Sequence, residues 1–548
     1  MGTTSRRGVT GRTRRVRRTG VAALVAAALT VTVAPQVAAE TATTSETTAG
    51  TTAATTTRTT GASETAERRR ARGALPTRRE MIRTVRDLVD MAPRKTGTRG
   101  GRQAARYVAR RFREAGMDEV WMERSTSYSW KALDHGLRVG GRRVAHTPVS
   151  FSFITGPTGT GRRTLGPYGL TAEVVDLGGL PPDAIGALDL TGKIVMVDVK
   201  FLTPLAALSP LIEFIHDPAG DILEAQTLLT PNPYITSLPQ TVDALQAAGA
   251  AGMIGVLADY FDSDEYHNEY YRRSPMTMPG MWITRDEAER VRASLAGVEG
   301  PAEATMRLTI RRREVTALQP VGVLHGTSDE TVMVQSHHDS MGPGAVEDGT
   351  GTAEVIALAD YYGELARRGA PQREKTLMFT TFDTHFTGYQ AHMAFVEKYV
   401  DDPDSPYDIV LNDTIEHVAR KGRVGPDGRL QLLDESEPRG FFENIGPTGK
   451  ATLISSIVEH GMNATVLLNG TVMAPVGVPT DASFVMVAGV PTVSLIAGPI
   501  YLYDEADTMA AVDRASMRPV LKVNRDLIEW AEETPSALIG LPTGELLP

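Results

Sequence analysis

The run Ser336-His337-His338-Asp339-Ser340 sets two imidazoles beside a carboxylate. Glu347-Asp348 follows in a glycine-rich stretch. Asn412-Asp413 comes later, with Glu416-His417 three and four residues beyond Asp413. Imidazoles and carboxylates brought together are what an oxygen- and nitrogen-ligated zinc ion requires. Six of the eleven His lie between positions 337 and 460. The 548-residue chain contains no Cys. That excludes a disulfide framework, a thiolate nucleophile, a zinc finger and an iron–sulfur cluster, and leaves any metal to His, Asp and Glu. Neither His-Glu-any-any-His nor Gly-any-Ser-any-Gly occurs, which argues against a zincin and an α/β-hydrolase.

The elements that would position these groups are legible from about Val315 onward. Thr331–Ser336, Thr376–Phe382, Asp408–Leu411, Ala464–Leu468 and Thr492–Ala497 read as strands. Thr352–Arg368, Gly388–Val400, Thr452–Gly461, Ala482–Ala488 and Arg514–Glu532 read as helices. Such alternation predicts an α/β domain with a mostly parallel sheet, whose site lies beyond the carboxyl ends of the strands. The His-Asp run, Glu347-Asp348 and Asn412-Asp413 are all expected there.

Residues 165–312 have another texture: strand-like runs Ala172–Leu177, Lys193–Val199 and Gly252–Leu257 among Pro/Gly-rich turns, with a short helix at Ala244–Ala248. They predict an accessory β-rich insertion without a catalytic constellation. Tyr266, Tyr270 and Tyr271 lie near His267 there and are candidates for substrate contact, against the simpler reading of loop packing. Upstream, Met81, Val85, Leu88 and Val89 recur at helix spacing, and a second amphipathic helix runs from about Arg102 to a Gly116 stop, followed by a strand at Glu119–Met122. Gly156 to Arg162 is read as a flexible loop, since it lacks the Lys of a phosphate loop.

The first 39 residues hold seven Arg and no acid, then an apolar run from Val21 to Ala34 and small residues at Val37-Ala38-Ala39. This is the pattern of an export signal, with a twin-arginine trace in Thr13-Arg14-Arg15. Residues 40–76 are a Thr/Ala-rich linker, residues 77–164 open the main domain, 165–312 are the insertion, and 313–548 complete the domain. The full chain carries 57 Lys+Arg against 66 Asp+Glu; without the signal's seven Arg the balance is 57 − 7 − 66 = −16. An acidic chain of this kind is not a dedicated nucleic-acid binder. A secreted protein with no stable membrane span after signal removal is expected, and its oligomeric state is open.

Several segments resemble the co-catalytic zinc exopeptidases, the family of secreted aminopeptidases and glutamate carboxypeptidase. Met91-Ala92-Pro93-Arg94-Lys95-Thr96-Gly97-Thr98 looks like that family's opening. Asp189 to Val195, Ala247 to Gly252 and Met278 to Ile283 look like its inserted protease-associated domain. The His-Asp run, Gly344-Ala345 with Gly351, Gly489-Val490-Pro491 and Asp507-Thr508 match its later motifs in outline. The resemblance covers nearly all the folded chain. It implies two zinc ions sharing a bridging carboxylate and a neighbouring general base.

Carried over residue by residue, it makes His337 a metal ligand with Asp339 as its orienting partner, puts Glu347 at the bridging position with Asp348 adjacent, and makes Asp413 a carboxylate ligand. The family's pair of Glu, base and then ligand, falls on His385-Phe386, and its final His on Tyr503. Phe386 cannot ligate, so the second ion loses its own ligands unless Asp504 or Glu505 moves in. Glu416 and His417 offer replacements near Asp413, His385 offers a base, and Tyr503 falls at a substrate-facing position. The losses come with polar gains, which favours an altered site with one zinc rather than two, acting on peptide or amide bonds. The alternative is a catalytically inactive relative that binds peptides or cell-surface material.

Overall fold

A computed structural model describes residues 74–540, apart from 203, 231–235, 268–274, 298 and 476. The expected export signal, the linker up to residue 73, Tyr270 and Tyr271 lie outside the described residues. Helix α1 (Arg78–Val89) begins at a reciprocal cap: the Thr77 side chain accepts from Glu80 N, and the Glu80 carboxylate accepts from Thr77 N. Met81, Val85 and Leu88 form its buried face, as their spacing predicts. Helix α2 (Arg99–Ala115) ends at Gly116, whose φ of 87° suits a residue without Cβ.

The following strand is far longer than expected. β1 spans Glu119–Val139 and pairs antiparallel with the late strand Glu303–Leu324 along nearly its whole length. Most of its residues are half-buried or exposed. With neither face in a deep core, the sequence carries no sustained alternation beyond its first turnings.

Within residues 165–312 four strands run parallel side by side with helices among them, while Ile212–His216 and the start of Glu303–Leu324 pair antiparallel. β2 (Leu170–Gly178), β3 (Ile194–Val199), β4 (Gly252–Leu257) and β5 (Gly280–Ile283) lie side by side. Helix α3 (Leu238–Ala247) precedes β4, and α4 (Arg285–Ala296) follows β5. Gly255 of β4 lets the Trp282 ring come within 2.4 Å of where a Cβ would stand. The strand Glu303–Leu324, here β6, pairs with β2 through its first residues. Its last residues pair antiparallel with β8 (Thr376–Phe382). One sheet therefore runs through both regions, and position 312 falls inside β6. Arg312 is mostly buried and donates to the carbonyls of Gly156 and Gly159 at 2.9 and 2.7 Å, so the loop expected to be flexible is clasped.

The rest follows the expected alternation. β7 (Glu330–His337) lies between β8 and β9 (Asp408–Ile415), parallel to both. β9 is followed in the sheet by β12 (Thr492–Ala497), then β10 (Arg439–Glu443) and β11 (Thr465–Asn469). Helices α5 (Gly351–Arg367), α6 (Gln390–Tyr399), α7 (Pro447–Glu459) and α8 (Met517–Glu533) complete the described elements that matter here. The α5 face with Val355, Ile356 and Leu358 shares one core with Val332, Val334, Leu411 and Ile415 from β7 and β9. β9 continues four residues past the expected end at Leu411, which relocates the candidate residues after it.

Candidate metal centre

Three strand ends converge. His337 closes β7 and is fully buried. His385 stands in the short turn His385–Thr387 after β8, and Glu416-His417 follows β9 directly. Glu347 and Asp348 occupy the turn before α5. Two devices hold that turn. The Asp507 carboxylate accepts from Val346 N at 2.8 Å and Glu347 N at 2.9 Å. The buried Arg94 guanidinium donates to the carbonyls of His338 (2.7 Å), Gly344 (2.8 Å), Pro343, Leu88 and Glu347. Burial pushes Arg94 down to about 10, opposed by Asp507, Asp339 and the Glu347-Asp348 pair.

The Glu347 carboxylate is the meeting point. Its Oε1 lies 3.3 Å from His337 Nε2 and 3.4 Å from His385 Nε2, and its Oε2 lies 2.6 Å from His417 Nε2. Each imidazole is anchored through its other nitrogen. His337 Nδ1 lies 3.2 Å from the Asp339 carbonyl and 3.4 Å from its carboxylate. His385 Nδ1 meets Asp481 Oδ1 at 2.7 Å, and His417 Nδ1 meets the Ala497 carbonyl at 2.8 Å. With each Nδ1 turned to an oxygen, the Nε2 of each ring faces Glu347 and is the nitrogen that a metal would take. Burial works against charge on His337 and His417. Asp339 and Glu347 still hold His337 well above the usual histidine range, and Glu347 lifts His417 to about 9. Burial likewise works against the Glu347 carboxylate, yet His417 and His337 hold it well below the usual carboxylate range.

The donor set fits a divalent cation. His337 Nε2 and both Glu347 oxygens are buried and face one another and the Nε2 atoms of His385 and His417, a cluster of donor atoms that a cation would satisfy. Among the described residues, candidate ligand atoms gather in three triads: Glu265 with His267 and Glu505, and two that share His337, one with His385 and Asp481 and one with Asp348 and His417. The carboxylates of the two triads that share His337 are already spent. Asp481 serves His385 and His392, at 2.7 and 2.9 Å. Asp348 accepts from Gly351 N, His417 N and Ser336 Oγ. The His337 and His385 rings stack 4.1 Å apart at 14°. His337, Glu347 and His417 remain as the set able to share one ion.

The other expected site residues divide. Asp339 stands beside His337, in the orienting place expected for it. Asp413 is not brought to the cluster. It lies inside β9, paired in register with Val334 and Val493, and burial alone pushes its carboxyl well above the usual range. Its oxygens accept no hydrogen bond. The physical reason is the longer strand, whose end presents Glu416-His417 instead. Glu416 is no ligand of the set either: its Oε1 accepts from Asp481 N at 2.9 Å. Burial and the neighbouring Asp481 push it up to about 8. His338 points to the opposite face of β7, its Nδ1 near Thr381, and burial lowers it to about 4.

Asp481, Asp507, His392 and Arg94 were not among the expected site residues. Asp481 had a signal: it is the only Asp, Glu, Lys or Arg between positions 461 and 503.

Tyr503 and Phe386 wall the narrow space that reaches Glu347, with Met341, Leu502, Asp504 and His267. That space is about 10 Å³, room for one water at most. A strap from the insertion covers it. Ser263 Oγ donates to Asp504 Oδ2 at 2.6 Å, His267 N donates to the Tyr503 carbonyl at 2.9 Å, and Tyr266 meets the Tyr503 ring edge-on at 6.1 Å. Of the expected tyrosine cluster, the described member Tyr266 thus packs on Tyr503.

Residues 321–528 match the family described as Peptidase family M28. Leucine aminopeptidase 1 of Paracoccidioides brasiliensis strain Pb03 is 20% identical over 240 residues, 42% of this chain and 58% of that protein. The chain thus spans less than two thirds of the curated relatives it matches. Among solved structures, the Peptidase M28 precursor from Shewanella amazonensis superposes with a TM-score of 0.60 at 19% identity, covering 88% of this chain and 98% of that one. BSAP, a zinc aminopeptidase from Bacillus subtilis, superposes with a TM-score of 0.57 at 15% identity over 85% and 99%. These likenesses establish a common fold.

Proposed function

From its resemblance to the co-catalytic zinc exopeptidases and its match to peptidase family M28, we propose that this chain is a metal-dependent exopeptidase-type hydrolase of peptide or amide bonds. The observation that carries the reading is the buried cluster in which the Glu347 carboxylate faces the Nε2 atoms of His337 at 3.3 Å and His417 at 2.6 Å. His337, Glu347 and His417 would hold one zinc ion. When bound, zinc polarises a scissile carbonyl and makes a water acidic near neutral pH. The chain supplies the rest. Asp339 and the Ala497 carbonyl fix the ring orientations, and Asp507 and Arg94 fix the Glu347 turn. His385 would take a proton at Nε2. Phe386 and Tyr503 give the space beside Glu347 an apolar wall, and that space must open before it takes a substrate side chain.

The names of the relatives favour trimming from the amino end. No described helix is long and apolar enough to cross a membrane. Export is proposed from residues 1–39, and a protease-associated role for residues 165–312 from the motifs quoted above.

The test is metal content and turnover of aminoacyl and carboxyl-terminal peptide substrates. His337→Ala is expected to lose bound zinc and at least about 100-fold in kcat/KM, since it removes a ligand and not merely a ligand's support. Normal turnover in that variant would sink the reading. A second reading, peptide binding without turnover, is favoured by Phe386 at the site and by the closed space. It predicts peptide affinity with neither bound metal nor cleavage.

A further inference from the structure

We propose that Asp481 is the positioning residue of His385, reached from a loop that no motif marks. The inference rests on the hydrolase reading for its catalytic consequence, but its geometry stands independently. Asp481 is fully buried. Its Oδ1 meets His385 Nδ1 at 2.7 Å and its Oδ2 meets His392 Nε2 at 2.9 Å. Both oxygens are therefore committed to imidazoles. The carboxylate itself is fixed from two sides. Its backbone N–H donates to Glu416 Oε1. His392, on α6, stacks on Phe382 at 4.0 Å and 15°, so the second imidazole is not free to swing.

The chemical effect follows from the two ring nitrogens being distinct. A carboxylate on Nδ1 selects the tautomer with hydrogen there and leaves the lone pair at Nε2. His385 Nε2 is the atom on the Glu347 side, 3.4 Å from Oε1. Asp481 thus aims the proton acceptor at the reacting space, the role a buried carboxylate plays for a catalytic imidazole on unrelated folds. The stack of His385 on His337 limits ring rotation further. Glu416 joins the same device: it clamps the Asp481 loop and does not itself face the ion.

Two readouts test this. The first is proton NMR of the zinc-loaded protein, where a ring N–H held by a buried carboxylate resonates far downfield. Two such resonances are expected, one lost in His385→Gln, the other in His392→Gln, and both in Asp481→Ala. Persistence of both in Asp481→Ala overturns the proposal. The second is kinetic. Asp481→Asn is expected to lower kcat by about 100-fold with KM and zinc content unchanged, with part recovered in Asp481→Glu. Asp481→Ala combined with His385→Ala is expected to be no slower than His385→Ala alone. Additive losses, or loss of zinc in step with activity, overturn the positioning role. If the wild type cleaves no peptide, the hydrolase reading fails, while the resonances still decide whether Asp481 holds both imidazoles.

Discussion

Arg94 shows how much a single side chain can carry. Its guanidinium is fully buried and donates to five carbonyl oxygens drawn from α1's end, the His338 peptide and the Glu347 turn. Arg94→Met keeps much of the volume but leaves those carbonyls without a donor and Asp507 without a neighbouring cation. A loss of about 3–5 kcal/mol is expected, measurable by urea unfolding, together with weaker zinc binding. Neither Arg94 nor Asp481 could be assigned its role from residue type, because each works through contacts hundreds or tens of positions away in sequence. That His337, Glu347 and His417 come together was legible, since their types and their places near strand ends already suggested one cluster. Asp413 was misplaced by a simple physical circumstance. Asn412 and Asp413 looked like the first polar residues after a strand, yet Asn412 accepts from the Gln335 amide at 2.7 Å. That buried pairing satisfies a polar residue inside the sheet, so the strand runs on.

Elements with both faces covered could be read almost to the residue. β7, β8 and β12 are continuous buried runs because helices or loops cover them on both sides. In the β1/β6 ribbon the length of β1 was missed for the opposite reason: most of its residues are half-buried or exposed, and its backbone pairing with β6 leaves little mark in its side-chain pattern. One element boundary makes a pH prediction. Glu443 ends β10, fully buried against Lys450 of α7 at 2.8 Å. Burial raises its carboxyl from 4.5 to about 7, and Lys450 only partly opposes this. Its folded form holds the proton more tightly than its unfolded form. Its contribution is therefore fully present below pH 4.5 and is lost as pH rises through about 7. Glu443→Gln is expected to gain stability relative to the wild type across that window, by roughly 3 kcal/mol at most. Thermal melts of both proteins at pH 4 to 8 give the comparison, and parallel pH curves would refute it.

The whole molecule controls access to its own centre. His337, Glu347, His385 and His417 are at most 4% exposed, and the space beside Glu347 holds no more than a water. On the hydrolase reading, substrate entry is expected to lift the Ser263–His267 strap from the loop that carries Tyr503 and Asp504. Tyr266→Ala removes an aromatic anchor of that strap without touching the ligand set. It is expected to hasten zinc extraction by a chelator several-fold at unchanged zinc content, whereas an unchanged extraction rate would mean that the entry route lies elsewhere.

Because β6 pairs with β2 at one end and with β8 at the other, the insertion and the main domain share one beam. A shared beam cannot serve as a hinge: bending it would break hydrogen bonds in both halves at once. Nor can it be cut without orphaning them. The chain is in this sense indivisible at the very place where its sequence looks most like two pieces, and whatever freedom the centre needs must be found in its loops.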